Sequence, residues 1–145
     1  MCAGIEFGGR RILWSDDNPQ LPMLRKDGSI CWGLWGNAFH EVRRDIPAGG
    51  WARLESIRDG KWKRYHPVSV KIPATAFMEK NAQGEAVWFP LASGIMIQGA
   101  AIETKNEIMT AEWGNKDVRV YVVTMPADDT VRPVHDRMPR LILQP

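Results

Sequence analysis

The 145-residue chain has only two cysteines, Cys2 and Cys31, three scattered histidines and no long uninterrupted apolar run. Two cysteines cannot build the disulfide framework of a small secreted domain. Neither stands in a C-x-x-C pair, so no zinc site is expected and no metal is implied. Nothing approaches the roughly 20 apolar residues that a membrane-spanning helix needs. The opening MCAGIEFGGRR has neither the basic start nor the apolar stretch of a signal peptide. A cytoplasmic location with reduced thiols and no membrane partner is therefore expected. The glycines exclude another class: EFGGRR and AGGWAR lack both the G-x-G-x-x-G and the G-x-x-x-x-G-K-[ST] spacing whose backbone N–H groups cradle phosphates, so no nucleotide cofactor is expected. A serine hydrolase is disfavoured too, because no G-x-S-x-G elbow occurs and ASG at residues 92–94 does not make one.

What is present is ordinary globular material, 44% hydrophobic and 25% charged. The length suits one domain, residues 1–145, with a real core. Short apolar runs alternate with turn clusters. SDDNPQLP and RKDGS flank LPML and ICWGLWG, and this spacing suggests a meander. VSVKIPATAFME reads as extended around Pro73, and EAVWFPL, SGIMIQGAAIE and VRVYVVTMP are further strand candidates. A single short helix is predicted from Asn37, as its cap, to Arg44, with Pro47 stopping it. The tail RPVHDRMPRLILQP ends in an apolar stretch expected to pair into the sheet. The predicted class is a β-rich α+β domain with mixed or antiparallel sheet and few short helices.

A net charge of +2 is too small to argue for nucleic acid, but its distribution says more. RRDIPAGGWARLESIRDGKWKRYH interleaves seven Arg and Lys residues with Trp51, Trp62, Tyr65 and His66. Basic groups meet phosphates and flat aromatic faces stack on unpaired bases, so this mixture suits single-stranded nucleic acid. The same pattern also fits a solvated face whose tryptophans point inward. Seven tryptophans in so short a chain favour a binding surface over a minimal core.

Cys2 admits two readings. It is either small apolar filler at the start of a strand, or, once Met1 is trimmed, an aminothiol. A free α-amine has a reference pKa of about 7.7 to 8.0 and a thiol of about 8.5, so both have nucleophilic fractions near neutrality. An aldehyde can then be captured twice, by nitrogen as an imine and by sulfur to close a thiazolidine ring.

The tail supplies a resemblance. PVHDRMPRLIL resembles the H-x-R-M-P signature of the SOS-response-associated peptidase (SRAP) family. In order along the chain, MCAGIEF resembles that family's M-C-G-R-F start, ICWGLWG its W-G-L-x-P strand, WARLES its N-A-R-A-E-T segment and IPATAFMEK its P-A-D-G-F-Y-E-W segment. The resemblance implies a barrel-like domain that binds single-stranded DNA and traps abasic sites covalently through Cys2, with no cofactor. Taken literally, the family's peptidase name gives a further reading, in which Cys2 is a nucleophile that removes Met1 autoproteolytically. Glu79 carries over as the acid/base carboxylate and His135 as the proton-handling imidazole. Arg53 and Arg137 match arginines that grip phosphates, a task suited to their forked donors. Trp32 is expected to pack near the site or stack on a base. Trp51 stands where the family has an asparagine, and an indole can donate one hydrogen bond but cannot accept one as an amide can. A non-covalent single-strand binder that has lost efficient cross-linking is the alternative.

Overall fold

The computed structural model describes residues 1–38, 43–105 and 116–144, with only the backbone of Lys105 and Lys116. The chain begins with a hairpin, β1 (Gly4–Phe7) and β2 (Arg10–Leu13). Gly8 and Gly9 turn it, with φ of +60° and +75°, a pair of left-handed positions that suits a two-residue loop. β1 also pairs antiparallel with β7 (Ala76–Lys80), and β7 with β8 (Ala86–Pro90), giving a small sheet of order β2-β1-β7-β8.

The remaining strands form a closed five-strand mixed barrel with additions. Its staves are β3 (Gln20–Leu24), β4 (Ile30–Trp35), β6 (Val68–Ile72), β9 (Ile95–Lys105) and β10 (Lys116–Pro126). Four of the five contacts around the ring are antiparallel; β10 meets β4 in parallel, with Arg119 opposite Leu34 and Val120 opposite Trp35. A meander cannot make that contact, so the meander expectation describes the hairpins and not the closure. β5 (Trp51–Arg53) lies parallel to Val122–Thr124 of β10. The tail pairs as expected: β11 (Arg137–Pro139) on β10 and β12 (Leu141–Leu143) on β9.

Alternation along these strands builds two apolar clusters. Leu21, Met23, Trp35, Ile72, Ile97, Val120 and Val122 belong to one, with Cys2, Ile5 and Phe77 from the small sheet. Alternate residues of β9 and β10, namely Ala100, Ile102, Tyr121 and Val123, pack instead with Ala52 and Trp62 and against Leu54 and Ile57 of the short helix α1 (Leu54–Arg58). Burial on both faces explains why VRVYVV reads as a nearly continuous apolar run. Tyr121 still satisfies its hydroxyl, which donates to the Pro47 carbonyl at 2.6 Å.

Two local expectations are revised. VSVKIPATAFME is not one extended element: β6 ends at Ile72 in the barrel, and β7 begins at Ala76 in the other sheet. Pro73, which has no N–H for a ladder, sits at the crossing. The helix expected over Asn37–Arg44 falls partly on residues 39–42, outside the described set. Asn37 itself bridges Gly49, and its side chain binds the backbone of Arg43 and Ile46. Among the described residues no helix is long and apolar enough to cross a membrane.

Candidate functional site

The first residues are tied to the small sheet by backbone bonds. Ala3 N–H donates to the Met78 carbonyl at 2.9 Å, and Trp14 N–H donates to the Ala3 carbonyl at 3.0 Å. This pairing carries the amino terminus alongside the end of β7, where Glu79 is completely buried. The Met1 amine stands 2.9 Å from Glu79 Oε1. It is also 2.9 and 3.0 Å from the two ring nitrogens of His135. Such near-equal distances put it across the imidazole, not along one nitrogen's lone pair. His135 Nδ1 lies 3.1 Å from the backbone N–H of Arg137 and 3.2 Å from Asp136 Oδ1. Two side chains distant in sequence, Glu79 and His135, therefore meet at one amine.

The electrostatics of the cluster follow from burial. Burial raises the Glu79 carboxyl to about 7, with the amine opposing that rise and Asp136 adding to it. Neither carboxylate oxygen has a well-aligned hydrogen-bond donor, so burial dominates. A carboxyl in that range can give or take a proton near neutrality. Cys2 is also wholly buried, its Sγ 3.3 Å from the Gly4 carbonyl. Burial, then the charge of Glu79, pushes the thiol up to about 12. A cavity of about 590 Å³ opens over the amine, with Met1, Ala3, Trp51, Lys80, His135 and Asp136 in its wall. Cys2 lies outside that wall, with Met1 in it.

Trp51 is a structural neighbour of Cys2. Its indole N–H donates to the Cys2 carbonyl at 2.6 Å, and its ring packs 4.9 Å from Trp14 and 6.3 Å from Trp35. The indole thus uses its one donor on the Cys2 backbone, where the SRAP pattern has an amide. The cluster needs a bare backbone beside it: a Cβ on Gly50 would stand 2.6 Å from the Trp14 ring and 2.7 Å from Trp35 Nε1. Gly50→Ala is expected to destabilise the fold by about 1–3 kcal/mol through overpacking, read as a lower urea midpoint with unchanged slope.

The remaining predicted residues disperse. Arg137 is buried next to His135, but its fork binds Glu55 at 2.6 and 3.1 Å and Thr124 at 2.9 and 3.1 Å. The pairing holds the half-exposed Glu55 carboxyl at about 2. A phosphate reaching Arg137 would have to displace Glu55. Arg137→Lys keeps the charge and loses the fork; it is expected to cost about 1–2 kcal/mol of stability in thermal or urea unfolding. Arg53 is exposed at the end of β5, two residues beyond Trp51. Trp32 is 45% exposed, packs edge-on against Phe7 at 5.7 Å and lines a different cavity, of about 490 Å³, with Arg10, Asp16 and Asn18. It is not in the wall around the amine. Sequence reasoning missed the Met1 amine itself, Trp14 and Glu55; only Glu55 had a signal, as a charged member of the WARLES segment that carries the resemblance.

No protein-family model and no curated protein matches the chain. Its structure is similar to a crystal structure of a protein from Bacteroides thetaiotaomicron, with a TM-score of 0.62 and 14% identity over 88% of this chain and 60% of that one. The chain thus spans about three fifths of that protein's length, and at this identity the likeness concerns the fold alone.

Proposed function

We propose that the protein binds single-stranded DNA in the cytoplasm and, once Met1 is removed, traps abasic sites through Cys2 in the manner of the SRAP family. The observation that carries this reading is the amine 2.9 Å from buried Glu79 and against His135, one residue from a thiol. Loss of Met1 passes the amine to Cys2, one Cα step of about 3.8 Å along the chain. The Cys2 nitrogen then attacks the aldehyde carbon of a ring-opened abasic sugar, and the carbonyl oxygen leaves as water. Glu79 in its acid form supplies the proton for that departure, and as carboxylate it takes one from nitrogen. The thiol adds to the imine carbon, its proton passes to nitrogen, and a thiazolidine closes. The net change is loss of one water.

The test is incubation of the protein with an abasic single-stranded oligonucleotide, followed by denaturing electrophoresis and intact mass. The expected adduct has the mass of the chain without Met1 plus the oligonucleotide minus water. Only dissociable complexes, or an adduct that retains Met1, would overturn the proposal.

One observation favours a second reading, a non-covalent single-strand binder. Cys2 has no solvent exposure, and its thiol is held in the protonated form. That reading expects Met1 to be retained in the intact mass and DNA binding to be salt-sensitive.

A further inference from the structure

The basic stretch Arg53–His66 takes no part in the cluster around the amine. We propose that it is a phosphate track along which single-stranded DNA runs away from the cavity; this rests on the DNA-binding reading above. The track starts at the site. β5 carries Trp51 in the cavity wall and Arg53 two residues further on, about 7 Å along the strand. From Arg53 the chain enters α1 and then the turn that ends in the 3₁₀ segment Lys63–Tyr65.

Arg53, Arg58, Lys61, Lys63 and Arg64 are all exposed. The stretch contains two acids, and one of them, Glu55, is engaged by buried Arg137. These 14 residues hold five of the chain's 19 Lys and Arg and two of its 17 Asp and Glu, leaving 14 cations against 15 acids elsewhere. The whole positive excess of the protein is concentrated here. A stretch with so concentrated a positive excess attracts a polyanion.

The aromatic residues decide what is read. Trp62 is 8% exposed and packs edge-on against Tyr121 at 5.0 Å and Tyr65 at 6.0 Å. It anchors the turn to β10 and offers no face to a base. Tyr65 in turn carries the Arg64 guanidinium at 5.0 Å over its ring, which holds that cation in place. The ridge therefore contacts the sugar–phosphate backbone and is indifferent to base identity. For single strands, each phosphate neutralised contributes about −0.7 to the slope of log K against log salt, so five contacts give about −3.5.

The experiment titrates the full-length protein against a fluorescent single-stranded oligonucleotide without abasic sites, from 50 to 300 mM salt. For Lys61→Gln/Lys63→Gln/Arg64→Gln the slope is expected to become shallower by about 2, and affinity at 50 mM salt to fall on the order of 10²-fold. The matched variant Arg25→Gln/Lys26→Gln/Lys71→Gln removes the same charge from a basic cavity beside β3 and β6. Its slope is expected to stay at the wild-type value. Equal losses in the two variants, or a wild-type slope near zero, would overturn the track. The thermal melt of the ridge variant is expected to match wild type, since every side chain substituted in it is exposed. Capture of an abasic oligonucleotide at saturating concentration separates this proposal from the cross-linking chemistry. Absent capture with the slope difference intact overturns the chemistry alone; normal capture with no slope difference overturns the track alone.

Discussion

Cys2→Ala is expected to abolish the denaturation-resistant adduct with abasic single-stranded DNA while leaving affinity for intact DNA unchanged. The substitution is small, because the side chain it removes is a buried thiol whose hydrogen bond is one weak contact to the Gly4 carbonyl. After loss of Met1 the alanine variant still presents an amine, so it still forms an imine with the sugar aldehyde. That imine returns to aldehyde and amine on denaturation, because no sulfur adds to its carbon. Borohydride reduction before denaturation is therefore expected to restore a band for the variant. This pattern separates the work of nitrogen from that of sulfur. A wild-type yield of stable adduct from Cys2→Ala without borohydride would sink the thiazolidine chemistry.

The second large effect concerns Glu79 and pH. Its carboxyl is raised from 4.5 to about 7 in the folded protein, chiefly by burial. Between those values the native state holds a proton that the unfolded chain has released. Stability is therefore fully present below about 4.5 and declines as pH rises through about 7. The displacement corresponds to on the order of 3 kcal/mol. Glu79→Gln removes the titration and keeps the shape. The variant is expected to match wild type near pH 4 and to be more stable at pH 8 by that amount, or roughly 6–12 °C in Tm for a domain of this size. Glu55 has the opposite sign: its carboxyl is held at about 2, so its contribution is present above about 4.5 and lost as pH falls towards 2. Comparing variant with wild type at each pH cancels that term. Parallel stability profiles for the two proteins would refute the assignment of a buried, proton-holding carboxyl. Adduct formation by Glu79→Gln is expected to slow by about 10²–10⁴, the usual range for loss of a general acid–base group.

The β-rich class was legible because strand alternation is local, and the short runs between turn clusters leave little room for helices. The closure was not. Nothing in ICWGLWG or VRVYVVTMP announces a parallel partner, since both-face burial of β10 arises only when α1 and the barrel interior are in place. The proximity of Cys2, Glu79 and His135 could be expected only through ordered motifs, because 134 residues separate Met1 from His135. Which arginine lies on the surface does not follow from residue type. Arg53 and Arg137 are the same residue type in similar strand-end settings, and only the tertiary contact with Glu55 buries one fork. The tryptophans pose the same problem. Trp32 and Trp51 differ by whether the Cys2 carbonyl and the rings of Trp14 and Trp35 receive the indole, facts of packing that no periodicity encodes.

The parallel seam between β4 and β10 has a consequence for how the molecule comes into being. Its two edges, Leu34–Trp35 and Arg119–Val120, are some 85 residues apart. The ring can shut only after most of the polypeptide has been collected, and loop entropy must be overcome before that contact rewards the chain. Refolding on the millisecond-to-second scale of high-contact-order domains follows. A nascent chain still lacking β10 has an open cylinder, with Leu34 and Trp35 without their eventual neighbour.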